Sequence, residues 1–390
     1  MILKEEAREQ YFNSFAEDGK TIIFAHGRLE LVGNHTDHNK GVVLCSGVDM
    51  GTTAMVAKND DNYVSIASRG YRSFDIELDD LEKKDNEEGT SAALVRGVLF
   101  KLKELGYEIG GFNLAAVSDI FEGAGVSSSA CFESLICKAV SYLFNDDSIP
   151  SDVMASVSQY AENVYFGKPC GLLDQIGACF GGVCYVDFKY DTPEVELLKF
   201  PFAMRLFLIN AGGSHANLTP LYASIPEDMH NVARHMAGKN NLREISREEF
   251  FAKLTRPYAS LSERAKMRAM HFYDENIRVR NARNAILHHD EAAFLDAVND
   301  SGRSSQVNLA NTMVPGQYVG SPQQCVDTLR PYVGQGGAIR MMGGGFAGTV
   351  LAFLPEERAD EFADTAKRIY GASKVTEVKI FDQGPVIVKK

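Results

Sequence analysis

Short apolar runs alternate along this chain with longer stretches of helical period. Residues 21–25, 42–48, 53–57, 63–67 and 73–78 are β-branched or alternating and are punctuated by Gly, Asn and Asp, which predicts strands. Helical spacing follows over 89–105, and 112–117 reads as a strand that runs into a glycine-rich turn. Beyond that turn, Phe132, Leu135, Ile136, Ala139, Val140 and Leu143 fall on one face of a helix predicted over 129–143, so that stripe should pack. Further helical periods cover 152–165, most of 225–299, 322–333 and 355–370, while 205–210, 338–342, 349–354 and 375–381 predict strands. Regular helical crossovers do not separate the strands, so the expected class is α+β with mixed sheets, and a doubly wound dinucleotide fold is disfavoured.

The chain has 390 residues, enough for two packed domains with a cleft between them. No internal repeat or low-complexity linker marks the join. A proline-bearing stretch at 193–201 suggests domains of 1–198 and 199–390. A net charge of −12 argues against a nucleic-acid surface, so the expected partner is a small molecule. The first ten residues are charged from Lys4 onward and no stretch is long and apolar enough to span a bilayer, so a cytosolic, membrane-free protein is expected. Seven cysteines lack any C-x-x-C pairing and read as core thiols in a reducing compartment, without structural zinc.

Three stretches demand a chemical reason. GRLELVGNHTDHNKGVVL, residues 27–44, concentrates hydrogen-bonding side chains between two apolar runs. EGAGVSSSAC, 122–131, sets Gly123 and Gly125 ahead of Ser127, Ser128 and Ser129 at a helix start. Small residues there let backbone N–H groups approach an anion, and the helix points its positive end at the same place, so the turn suits phosphate. It lacks the lysine of the G-x-x-x-x-G-K-[ST] loop, and such a turn alone is more often a simple helix cap. MMGGGFAGT, 341–349, reads as a glycine hairpin between strands. In addition, Asp174 of PCGLLDQ lies in an apolar stretch where an unpaired carboxylate is costly, and Glu162 sits near a helix end.

Together, in this order and at these distances, the three stretches resemble the signature motifs of the GHMP kinases. Within that superfamily they are closest in form to the galactokinase branch, whose first motif usually reads G-R-x-N-L-I-G-E-H-T-D-Y-N-G-G, and PCGLLDQ is similar to that branch too. The resemblance spans residues 20–390 and implies a two-domain α+β fold with its active site in the interdomain cleft. It implies an ATP- and Mg²⁺-dependent sugar 1-kinase. By position, Asp174 would face the anomeric hydroxyl with Arg28 beside it. Gly123 to Ser129 would wrap the ATP phosphates, and Ser129 with Glu162 would hold Mg²⁺. The turn at 343–348 would line the cleft, with Asn34, His35, Asp37 and Tyr222 reading the sugar.

Asn34 replaces the usual Glu, His38 the usual Tyr and Lys40 the usual Gly; Ala347 and Thr349 replace Gly and Cys in the third motif. The first-motif changes bear on which sugar is read. Galactose is the leading expectation; galacturonate is the alternative, since Asn removes a negative charge and Lys40 adds a positive one. A non-catalytic sugar sensor is the competing class. Retention of Arg28, Asp174, Ser129 and Glu162 favours catalysis over it.

Overall fold

The structure, a computed structural model, describes residues 2–121, 123–168, 170–213, 218–254 and 261–388. Glu122 and Pro169 of the stretches quoted above therefore lie outside the described residues. The strands are β1 (Thr21–Val32), β2 (Val42–Lys58), β3 (Tyr63–Ser68), β4 (Phe74–Glu77), β5 (Phe112–Ser118), β6 (Val183–Asp187), β7 (Glu194–Leu198), β8 (Met204–Asn210), β9 (Ala338–Met341), β10 (Thr349–Pro355), β11 (Val375–Val378) and β12 (Val386–Val388). The helices are α1 (Lys4–Phe15), α2 (Ser91–Glu104), α3 (Ser128–Phe144), α4 (Ser151–Tyr160), α5 (Leu173–Phe180), α6 (Thr219–Ala237), α7 (Arg247–Leu254), α8 (Glu263–His288), α9 (Glu291–Ser304), α10 (Pro322–Val333) and α11 (Glu356–Tyr370).

The first sheet has eight strands in the order β12-β1-β2-β5-β3-β4, with β6 added to the near end of β2 and β7 to β6; the second has four, β11-β8-β10-β9. Among the described strands only β3 and β5 pair in parallel, and the α+β expectation holds. Two of the expected strands fuse. Residues 42–58 form one continuous strand because Gly47 and Gly51 are not breaks. A Cβ at Gly51 would lie 2.1 Å from the Ala25 carbonyl oxygen, and one at Gly47 2.6 Å from that of Phe381, so these glycines mark close backbone approach inside the sheet. β1 likewise runs to Val32, so much of what reads as a polar connection is strand, and the true connection is only 33–41.

The stripe on α3 packs as its spacing predicts, with Leu135, Ile136, Ala139 and Val140 buried against β1, β2, α4 and α5. Each such side chain contributes roughly 1.5–3 kcal/mol by leaving water. A second core joins the two sheets. It takes Leu29, Leu31 and Leu44 from the first, Leu206, Leu208 and Leu351 from the second, and Val279 and Val298 from α8 and α9. Ala124 and Val126 of the glycine–serine turn are buried in this core, which anchors the turn at the junction of the two halves. The chain also crosses the expected boundary at 198/199 in its pairing. β12 returns to the first sheet, its Val386–Val388 pairing antiparallel with Ile22–Phe24 of β1.

The junction also buries charge. Arg340 on β9 is fully buried; it donates to the Leu31 carbonyl at 2.7 Å, to Met341 O at 3.0 Å and to Glu30 Oε1 at 2.9 Å. Burial raises the Glu30 carboxyl to about 6, with Arg340 and then Arg28 opposing that rise. Arg340→Met should destabilise the protein by about 3–5 kcal/mol in denaturant titrations, because it strands Glu30 without its partner. Loss of the guanidinium pushes Glu30 higher still. A carboxyl whose folded-state value is raised loses stability as pH climbs through that value, so the variant's deficit should be larger at pH 8 than at pH 5.5.

Candidate active site

The glycine–serine turn ends on Ser127, which has a left-handed φ of 61° and does not cap α3 with its side chain. Its hydroxyl instead donates to Asp174 Oδ2 at 2.8 Å. The first-turn N–H groups of α3, which have no partners inside the helix, are thus left to the turn, together with the positive end of a 17-residue helix. Gly123 and Gly125 take φ values of 78° and 68°, where a side chain would be strained. The third motif holds the turn from the other half: Thr349 Oγ1 donates to the Gly123 carbonyl at 2.6 Å.

Arg28 binds the first motif to this turn. The pairing of β1 with β2 shifts register between His26 and Arg28, and Gly27 lies at that shift with its Cα hydrogens against Val126. The Arg28 backbone N–H donates to Val126 O at 2.8 Å, its Nη1 to Gly125 O, and its Nε to Asp174 Oδ1 at 2.8 Å. Asp174 stands in the first turn of α5, a short helix that reads from sequence only as an apolar stretch. Gly177 lets α5 lie against the Arg28 side chain, since a Cβ there would stand 2.6 Å from Arg28 Cβ. Burial acts to raise the Asp174 carboxyl, but Arg28, then Lys168, and hydrogen bonds from Arg28 and Ser127 outweigh it and hold it below the usual aspartate value. A carboxylate persists there at neutral pH, with Arg28 fixing its direction.

Glu162 sits on a π-helical turn, Ala161–Phe166, that extends α4, and it is 1% exposed. Its Oε1 accepts from Ser129 Oγ at 3.0 Å and Lys168 Nζ at 2.8 Å, and its Oε2 from Gln175 Nε2 at 2.6 Å. Four residues along α3 from Ser129, the buried Glu133 carboxyl has no hydrogen-bond partner among the described residues, and burial, then Glu162, holds it well above the usual range. No group of three acidic, His or Cys side chains able to hold a metal exists among the described residues. The Ser129–Glu162 pair nevertheless fits Mg²⁺, which takes one or two protein oxygens and completes its shell with phosphates and water. Lys168 already places a positive charge on that carboxylate.

At the positions expected to read the sugar, the first and third motifs are zipped together. His35, at φ 58°, directs Nε2 to the Gly344 carbonyl at 3.1 Å. Burial, then His38, lowers this imidazole to about 3, so it is neutral, with Nε2–H donating and a buried Nδ1 that accepts from no group among the described residues. The Asp37 carboxylate crowds Gly171, where a Cβ would lie 2.1 Å from Oδ2. Tyr222 packs on the glycine turn and donates to Gly345 O at 3.0 Å. Asn34 departs from expectation. Its Nδ2 donates to Gly343 O at 2.7 Å and Glu30 Oε1 at 3.0 Å, its Oδ1 accepts from Asn311 Nδ2 at 2.8 Å, and it is 1% exposed, so its amide braces the third motif from beneath. Set against the motif form quoted above, Glu30 and Asn34 have exchanged acid and amide. A carboxylate therefore remains beside position 34, and Lys40 is paired with Asp191 at 2.7 Å on the surface. The galacturonate alternative is therefore not favoured.

Sequence reasoning also missed Glu30, Glu133, Lys168 and Gln175. Glu30 could have been found from the motif form, and Gln175 from its place beside Asp174. The thiols are as expected: all seven cysteines are free and six are buried. No described helix is long and apolar enough to cross a membrane.

The family profile "Galactokinase galactose-binding signature" matches residues 9–58, and "GHMP kinases N terminal domain" matches 93–182. A galactokinase of Glaesserella parasuis is 28% identical over 362 residues, 91% of each chain. The crystal structure of Lactococcus lactis galactokinase complexed with galactose superposes with a TM-score of 0.83 at 25% identity, covering 99% of this chain and 100% of that one. Methanococcus jannaschii mevalonate kinase, 14% identical, shares the fold at a TM-score of 0.68 over 93% of this chain and 99% of its own. With an ionised aspartate clamped by arginine at a phosphate-suited helix start, and these likenesses running nearly end to end, the chain resembles the galactokinases of the GHMP kinase superfamily and is a galactokinase-like phosphotransferase acting on a sugar hydroxyl.

Proposed function

We infer that this protein transfers the γ-phosphoryl group of ATP to the anomeric hydroxyl of D-galactose. The observation that carries this reading is the Arg28–Asp174 pair, hydrogen-bonded to the turn that opens α3. Its support for the sugar is the extent of the likeness to a galactokinase crystallised with galactose, and the match of residues 9–58 to a galactose-binding signature.

In this mechanism Gly123, Gly125 and the N–H groups at Ser127, Ser128 and Ser129 receive the nucleotide phosphates. Ser129 and Glu162 would hold Mg²⁺, which supplies charge neutralisation on the phosphates. His35, Asp37 and Tyr222 orient the sugar, His35 through its free Nδ1 acceptor. Asp174 accepts a hydrogen bond from the anomeric hydroxyl. The hydroxyl oxygen bonds to the γ-phosphorus, the bond to the bridging oxygen of ADP breaks, and the proton passes to Asp174. Arg28 makes Asp174 a weak base, so that proton moves late, once the new P–O bond has made the oxygen acidic.

Asp174→Asn should lower kcat by about 10²-fold or more while Mg²⁺-ATP binding by calorimetry persists; more than a tenth of wild-type turnover would remove Asp174 from this role. Ser129→Ala and Glu162→Gln should each weaken Mg²⁺-ATP far more than sugar, each deleting an oxygen ligand or its charge. Collapse of sugar affinity with unchanged Mg²⁺ dependence would place the metal elsewhere. Across an aldose panel read by coupled ADP release, galactose should give the highest kcat/KM and galacturonate a value at least ~10²-fold lower, because the Asn34 amide is engaged by Gly343 and Glu30 and the Lys40 ammonium by Asp191, leaving neither to meet a sugar carboxylate. Comparable values for the two sugars would overturn the galactose assignment, and no ADP release with any sugar would favour a sensor.

A further inference from the structure

Lys168 follows the left-handed Gly167 that ends the π-helical turn, and it is tied to Glu162 twice. Its backbone N–H donates to the Glu162 carbonyl at 3.1 Å and its ammonium to Oε1 at 2.8 Å. The two partners differ in freedom. The Glu162 side chain is 1% exposed and pinned by Gln175 and Ser129, whereas that of Lys168 is 57% exposed on a flexible four-carbon stem. Lys168 is thus the partner that can leave.

The ammonium also acts on both sides of the cleft. It helps hold Asp174 below its usual value and opposes the rise of the Tyr222 phenol, so its charge is felt at the acceptor position, the metal position and the second half of the chain. A phosphoryl group in transit from a nucleotide at Ser129 to a hydroxyl at Asp174 must pass between these points. Arg28 is occupied there by Asp174 and the Gly125 carbonyl. A divalent ion binding Ser129 and Glu162 would displace a neighbouring ammonium by like-charge repulsion, just as three phosphoryl oxygens arrive that accept from it.

We propose that Lys168 is a catalytic residue whose ammonium rests on Glu162 until a metal-bound nucleotide takes that carboxylate, and then donates to the oxygens of the phosphoryl group in transfer. The proposal rests on the kinase reading above. It adds the contact that meets charge developing in the transition state.

The test compares wild type with Lys168→Met and Lys168→Arg, in galactose turnover and in binding. Binding uses Mn²⁺-ADP followed by paramagnetic resonance of free Mn²⁺, with and without aluminium fluoride as a mimic of the transferring group. Lys168→Met should lower kcat about 30- to 100-fold with the galactose KM within about threefold. It should bind Mn²⁺-ADP as tightly as wild type or tighter, yet lose at least tenfold of the extra affinity that aluminium fluoride confers; Lys168→Arg should recover most of both losses. A Met variant within threefold of wild-type kcat overturns the proposal. So does a parallel loss of Mn²⁺-ADP affinity, which would make Lys168 only a support for Glu162. Failure of the kinase reading is distinct, since wild type would then phosphorylate no sugar.

Discussion

The ion pair between Arg28 and Asp174 is the contact on which the rest of the site depends. Neither charge is tolerable alone where it lies: Arg28 is 6% exposed, and burial by itself would drive the Asp174 carboxyl toward protonation. Together they join elements that are remote in sequence. Arg28 comes from a register shift in β1, Asp174 from the first turn of α5, and both bond to the turn that opens α3. A change that loosens any of the three therefore reaches the Asp174 carboxylate.

Around this pair the molecule spends much buried polarity on joining its halves. Asn34 bonds Gly343, His35 bonds Gly344 and Thr349 bonds Gly123 across the halves, and Tyr222 bonds Gly345 within the second, each tying a side chain to a backbone carbonyl of a glycine. Backbone carbonyls on glycines can be approached closely because no Cβ intervenes. At Gly344 a Cβ would stand 2.8 Å from the Tyr222 ring, so the bareness of this turn is a packing requirement as well as a conformational one. Beneath it, Glu30 and Arg340 bring opposite charges from the two sheets to the same spot, fixing the two halves in one register at some cost in desolvation.

Much of this was legible from the chain alone. The alternation of strands, the apolar stripe on α3 and the placement of the glycine turn are local properties, and local patterns report them. What stayed hidden was set by distant neighbours. The run at 27–32 reads as a polar connection because Arg28 and Glu30 are charged, yet it is strand, since their partners Asp174 and Arg340 arrive from elsewhere. α5 has only 8 residues, too few to display a helical period. Asn34 reads as a ligand contact because its motif is one; that its amide is saturated by Gly343, Glu30 and Asn311 is a fact of three other elements. Lys168 carries no signal in sequence, because a lone lysine beside glycine is most often solvated surface.

The pairing of β12 with β1 has a consequence for the order in which the molecule is made. β1 carries Arg28, and one edge of its N-terminal end is closed only when Ile22 to Phe24 meet Val386 to Val388. Almost the whole described chain is synthesised between the two. Until then that edge presents unpaired N–H and C=O groups beside the apolar Ile22, Ile23 and Phe24, a surface that invites pairing with other chains. The growing polypeptide thus carries the root of β1 unsealed while β2 to β11 are made, and the first sheet is completed only when β12 emerges.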